Sequence, residues 1–186
     1  ISFMGAGEPL LNVDNLLNGI KSISSNVDQV RFGIATMVPN MGLIKLTEWV
    51  KSNPDISVKV HLSVHGIGSR PTIVKSKISI ETAISMLQKY SEHTGMPIEY
   101  HYTLVSCVND NISELSEFKR LVDRGSKLDT VKFLTLSEVG DCRTSNVGTD
   151  ALLYLFKGMT VEFYDPPGRD VGSSCGMFDK SLYMEP

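Results

Sequence analysis

The chain has little cysteine, no strong excess of either charge and no long apolar run, and each shortage removes a class of protein. Among its 186 residues only Cys107, Cys142 and Cys175 carry a thiol, too few and too scattered for a disulfide framework or a four-cysteine zinc site. They read as the reduced thiols of a cytoplasmic protein. No apolar stretch reaches the roughly 18 residues that a spanning helix needs, and no basic segment followed by an apolar block opens the chain as a secretory signal does. No membrane partner is expected. The formal net charge is −3 and the isoelectric point about 5.8, so the broad basic surface that holds polyphosphates is missing. An RNA partner therefore needs a local patch or another segment. There is no low-complexity linker and no internal repeat.

What the chain does have is a regular alternation. With 41% hydrophobic residues, a single domain over residues 1–186 can bury a sizeable core. Short apolar runs alternate with stretches of helical period, the pattern of parallel βα units, and give about six strands and five helices of an α/β fold. Strands are predicted over residues 1–4, 30–37, 57–64, 98–105, 131–136 and 160–164. Helices are predicted after Asn12 as N-cap, with Leu16, Leu17, Ile20 and Ile23 inward, and from near residue 40 with Leu43, Leu46, Trp49 and Val50 inward. Three more are expected over 79–93, where Gly95 acts as the stop, over 113–123 and over 149–157. Pro166-Pro167-Gly168 then breaks the last strand.

Several segments carry residue types suited to chemistry. Gly5-Ala6-Gly7-Glu8-Pro9-Leu10-Leu11-Asn12 closes the first strand. Glycine lets a ligand approach the backbone there, and a carboxylate can accept hydrogen bonds from an α-amino group. In the strand over 57–64, Val58, Val60, Leu62 and Val64 point one way while Lys59, His61, Ser63 and His65 point the other. Ser63 and His65 at its C-terminal end need polar partners, from a ligand or from each other. Val108-Asn109-Asp110 reads as a turn and helix start, with Asp110 or Asn111 as cap. Cys175 stands in a loop between Ser174 and Gly176, with Arg169 near enough in sequence to help stabilise a thiolate.

Taken in order, Gly5 to Asn12, Leu62-Ser63-Val64-His65, Val108-Asn109-Asp110 and Ser174-Cys175-Gly176 resemble the radical S-adenosylmethionine adenine methyltransferases of the RlmN/Cfr type. That family's pattern is G-x-G-E-P-L-x-N, S-L-H, V-N-D and A-C-G-Q-L. The resemblance implies a partial (β/α)6 barrel of the radical S-adenosylmethionine type, here missing its first strand and cluster loop. It implies that Gly7, Glu8, Ser63, Val64, His65 and Ser137 hold S-adenosylmethionine and that Cys175 carries the methyl group to an adenine carbon of rRNA or tRNA. It also implies an electron donor in the intact enzyme. The family's C-x-x-x-C-x-x-C triplet is absent, so the chain offers no metal ligands and a 4Fe-4S cluster is expected only if an N-terminal segment supplies them. Ile1 opens the chain in place of Met, which predicts a longer protein.

The sequence departs from the family pattern at three places. Ala35, in Ile34-Ala35-Thr36, replaces a serine. Thr135-Leu136-Ser137 replaces P-W-N, and Met177-Phe178 replaces Q-L. Two other readings therefore stay open: a non-catalytic remnant that binds S-adenosylmethionine or RNA, and a radical enzyme acting on another substrate.

Overall fold

The alternating apolar runs fold as six parallel strands paired in chain order: β1 (Ser2–Phe3), β2 (Arg31–Thr36), β3 (Ser57–Ser63), β4 (Ile98–Thr103), β5 (Thr130–Leu134) and β6 (Thr160–Tyr164). The structure, a computed structural model, describes residues 1–4, 7–37, 41–74, 76, 78–138 and 140–168. Between the strands run α1 (Val13–Ser24), α2 (Met41–Ser52), α3 (Arg70–Ile73), α4 (Ile80–Thr94), α5 (Ile112–Val122) and α6 (Thr149–Leu155). A doubly wound sheet reverses its strand order at a switch point. This one never reverses, and among the described residues β6 does not pair with β1. Sequential right-handed crossovers put all the helices on one face, so the sheet is a barrel segment left open on one side.

The two faces of the sheet differ in chemistry because strand side chains alternate. Val58, Val60, Leu62, Ile98, Tyr100, Tyr102 and Val131 face the helices and are fully buried. There they meet Leu46 of α2, Leu87 of α4 and Phe118 of α5, all in the same core. Phe118 stacks on Tyr102 with ring centroids 4.9 Å apart, and Phe156 lies 5.5 Å beyond it. The opposite, concave face carries Lys59, His61 and Ser63 on β3, and Glu99, His101 and Thr103 on β4, most of them half-buried. Polar side chains there are the mark of a surface open to water or ligand rather than of a filled barrel core.

Local signals behave largely as read. The Ser79 side chain accepts the Thr82 N–H at the start of α4, and Gly95 ends that helix in the left-handed region with φ +71. Asn111 caps α5 by accepting the Glu114 N–H. Asn12 differs: it makes no side-chain cap bond to α1 and instead accepts from the Asn15 side chain at 2.8 Å. The reason is a 3-10 turn over Pro9–Asn12, unread in the sequence, whose cap is Glu8. The predicted strands over 57–64 and 98–105 stop at Ser63 and Thr103, where the Ser63, Val64 and Thr103 carbonyls are claimed by the Arg70 and Asn109 side chains. The Cys175 loop, with Arg169, lies outside the described residues.

Candidate functional site

Strand carbonyls point out of the C-terminal ends of a parallel sheet, and here one buried cation gathers them. Arg70, 3% exposed at the start of α3, donates through Nη1 to the Ser63 carbonyl at 2.7 Å and to the Val64 carbonyl, and through Nη2 to the Met37 carbonyl at 2.5 Å. Burial lowers its pKa to about 10, which leaves it charged at neutral pH. On the other side of the same residue, the Met37 N–H donates to Glu8 Oε2 at 2.9 Å, while the Leu10 N–H reaches Glu8 Oε1 at 3.4 Å. Glu8 is thus tied to the end of β3 through Met37 and Arg70, with acceptor capacity left on both oxygens. Gly7 precedes it with φ +89.

Beyond β3 the chain turns sharply at His65, which has φ +54, and at Gly66, with φ +147. A Cβ on Gly66 would stand 2.5 Å from Ser69 Oγ and 3.0 Å from the Arg70 nitrogen, so only glycine fits. Glu114 of α5 anchors the loop by accepting the Ile67 N–H at 2.7 Å and the Ser69 N–H at 2.8 Å. His65 Nδ1 accepts the Thr103 N–H at 3.1 Å. A backbone N–H can only donate, so the imidazole proton sits on Nε2. Burial, then the charges of Arg70 and His101, lower the His65 pKa to about 4 and keep the ring neutral.

Asn109 links the ends of β3 and β4. Its side chain is fully buried and donates through Nδ2 to the His65 carbonyl at 2.9 Å and the Thr103 carbonyl at 2.8 Å, while Oδ1 accepts the Val105 N–H at 2.7 Å. A flipped amide would set its oxygen against two carbonyls, so the orientation is fixed by the network. The Tyr102 hydroxyl in turn donates to the Asn109 carbonyl at 2.9 Å.

Below this rim the concave face has an ionic floor centred on Glu99, 4% exposed. Lys59 Nζ lies 2.6 Å from Oε2, while Lys132 Nζ at 2.7 Å and His101 Nε2 at 2.6 Å share Oε1. Burial alone would push the Glu99 carboxyl up. Hydrogen bonds from His101, Lys132 and Lys59 together outweigh that and hold it well below the usual carboxylate range. His61 stands 3.5 Å from Oε1 and edge-on to His101. Its pKa falls to about 4 through burial, only partly offset by Glu99. Gly33 of β2 makes room for this ring, since a Cβ there would lie 3.0 Å from His61 Nε2.

His61, Glu99 and His101 offer ligand atoms all within 4.8 Å of one another. The same carboxylate is already saturated by two ammonium groups, however, and a divalent ion about 4 Å from each would meet roughly 8 kcal/mol of repulsion per contact at an effective dielectric of about 20. The trio is an internal charge network, not a metal centre. Nor do the described residues fit a 4Fe-4S cluster, which needs several thiolates gathered at one point. Cys107, at φ +59 in the turn after β4, and Cys142 are both exposed. Their loops do adjoin, through the Ser106 N–H bond to the Arg143 carbonyl at 2.9 Å, but a pair of thiols is not a cluster ligand set. No step through such a group follows from these residues.

The predicted ligand contacts therefore share one end of the sheet. Gly7, Glu8, Ser63 and His65 sit at the C-terminal ends of β1 and β3, and Ser137 lies buried beyond β5. Val64 turns its side chain into the core, its N–H donates to the His101 carbonyl at 2.8 Å, and its carbonyl accepts from Arg70. Ala35 falls on the concave side of β2 and brings no hydroxyl there. Arg70 and the Glu99 network were not read in the sequence. The period-two alternation of Ile98, Tyr100 and Tyr102 with Glu99 and His101 could have revealed the floor, whereas nothing local marks Arg70.

No family model matches the chain. Several curated relatives align along nearly all of it. A protein of Prochlorococcus marinus named "Probable dual-specificity RNA methyltransferase RlmN" is 28% identical over 100% of this chain and 56% of its own length. One of the same name from Salinibacter ruber is 28% identical over 95% of this chain and 50% of its own. The chain thus spans about half the length of the curated relatives it matches. Among solved structures, a radical SAM methyltransferase from Sphaerobacter thermophilus superposes with TM-score 0.76 at 20% identity, over 95% of this chain and 54% of that one. At that identity the match establishes the fold.

Proposed function

We infer the function from the premise that this chain is a relative of the radical S-adenosylmethionine adenine methyltransferases of the RlmN type: it is the larger part of an enzyme core that methylates an adenine carbon in RNA. The observation that carries the reading is the alignment of practically the whole chain with proteins named as RNA methyltransferases. The fold and the polar rim at the C-terminal strand ends agree with it. The comparisons do not favour a non-catalytic remnant.

In this reading S-adenosylmethionine lies against the rim. Glu8 has acceptor capacity for its ammonium group, and Ser63, whose hydroxyl has no partner among the described residues, together with His65 can serve its polar oxygens. Ser137 closes the far side. The lost hydroxyl at Ala35 leaves one contact fewer than the family pattern. RNA, from rRNA or tRNA, is the substrate, and an electron donor serves the intact enzyme in the cytoplasm. The cluster that supplies radical chemistry in this family finds no ligand set among the described residues, and the reading includes it only if an N-terminal segment supplies the ligands.

Cys175 has the role of methyl carrier. Its thiolate attacks the sulfonium methyl, a sulfur–carbon bond forms as the sulfonium–methyl bond breaks, S-adenosylhomocysteine leaves, and the thiol proton passes to solvent. Peptide mass spectrometry of the intact protein, produced with methyl-labelled methionine, tests this. A labelled methyl on Cys175 and loss of RNA product in Cys175→Ala are expected. Unlabelled Cys175 in active enzyme, or full turnover by the alanine variant, would remove the methyl-carrier role and leave a shared scaffold.

A further inference from the structure

Asn109 is a fully buried polar side chain whose three hydrogen bonds all go to backbone at the rim. A turn needs no such residue: the adjoining cap is supplied by Asn111, and the turn itself by Asp110, which accepts the Cys107 N–H at 3.0 Å. What Asn109 alone does is tie the His65 carbonyl to the Thr103 carbonyl. His65 is a bulky residue at φ +54, a conformation that costs on the order of 1 kcal/mol and persists only where the surroundings over-determine it. Its one ring bond, Thr103 N–H to Nδ1, comes from the same stretch of β4 that Asn109 grips. Nε2 has no partner among the described residues, and His65 is only half-buried.

We propose that Asn109 is a positioning residue that locks His65 in its left-handed conformation and single tautomer, so that the imidazole presents a fixed Nε2–H donor to a hydroxyl or carboxylate oxygen of the ligand bound at the rim. The ligand part rests on the reading of the rim as an S-adenosylmethionine site. The tautomer part rests on geometry alone. The charged and titratable groups facing the ring are Arg70 from the start of α3 and His101 from β4, and both oppose its protonation, so the donor stays neutral. A neutral donor holds an oxygen acceptor at the rim without adding a second positive charge beside the sulfonium.

Long-range ¹H–¹⁵N correlation spectra of the labelled chain read the tautomer of His65 directly, with His65→Asn assigning the signals. The wild type is expected to show a neutral Nε2–H ring from pH 8 down to about 5.5, below the ordinary histidine range. Asn109→Ala, and the isosteric Asn109→Asp that keeps an acceptor for Val105 but loses both donations, should mix the tautomers and raise the titration midpoint. Calorimetry with S-adenosylhomocysteine should give at least about tenfold weaker binding for both Asn109 variants and for His65→Asn. That last variant tolerates the left-handed backbone and can keep the Thr103 bond through Oδ1.

A wild-type ring protonated on Nδ1, or His65 signals unchanged in a folded Asn109→Asp protein, would overturn the positioning role. Undiminished binding by His65→Asn would overturn the donor role while leaving the cofactor site intact. Absence of binding in the wild type would instead overturn the cofactor reading and the ligand half of the proposal with it, and the spectra would still decide the positioning half.

Discussion

Replacing Glu99 by Gln should destabilise the fold by about 3 kcal/mol, since the ionic floor has one anion and three donors around it. Lys59 at 2.6 Å, Lys132 at 2.7 Å and His101 at 2.6 Å all bond this carboxylate, and Lys132 also reaches Glu162 at 3.1 Å. Charge-assisted bonds are worth roughly 1.5–3 kcal/mol each when taken singly, but bonds to one group do not add. The Lys59 and Lys132 side chains are 33% and 22% exposed, so each can swing towards water and recover part of its solvation. These discounts bring the sum to the lower end of the roughly 3–5 kcal/mol seen when one partner of a buried pair is removed. With a urea slope of about 2 kcal/mol per M, the midpoint should fall by about 1.5 M at pH 7. The double variant Glu99→Met/Lys132→Met removes the charge together with one of its two ammonium partners and should recover at least half of the loss. A Glu99→Gln midpoint within about 0.3 M of the wild type would refute this account and class the network with exposed ion pairs.

Acid should act before that carboxylate titrates. The folded pKa of His61 and of His65 is lowered from 6.5 to about 4, so the unfolded chain binds more protons between those values. Their contribution to stability is fully present above pH 6.5 and is lost as pH falls from 6.5 towards 4, at up to about 1.4 kcal/mol per pH unit for each ring. Urea midpoints measured across that window should decline, and His61→Asn should flatten the decline; a constant midpoint would contradict it. Gly66→Ala should cost about 2 kcal/mol or more, because the new Cβ meets Ser69 Oγ at 2.5 Å at a backbone φ of +147. Thermal unfolding measures this, and an unchanged melting temperature would mean that the loop relaxes freely.

Much of the fold was legible because it is written in periods. Val58, Val60, Leu62 and Val64 alternate with Lys59, His61 and Ser63, and that alone separates the helix-facing side of β3 from its concave side. Ser79, Gly95 and Asn111 mark helix ends through local geometry that needs no partner far away in the chain. The motif segments named Gly7, Glu8, Ser63, His65 and Ser137, and parallel βα order then puts the ends of their strands on one side. What no local pattern could supply is the set of contacts that shapes the rim. Arg70 looks like an ordinary loop residue until folding brings the carbonyls of Met37, Ser63 and Val64 around its guanidinium. Asn109 reads as a turn residue until His65 and Thr103 present their carbonyls to it. Glu99 interrupts an apolar run with His101 on the same face of its own strand, and only strand pairing brings Lys59 and Lys132 beside them to neutralise it. Side-chain period is a property of neighbours in sequence, whereas the satisfaction of buried charges and free carbonyls depends on groups brought together from distant strands, and so it is decided only in three dimensions.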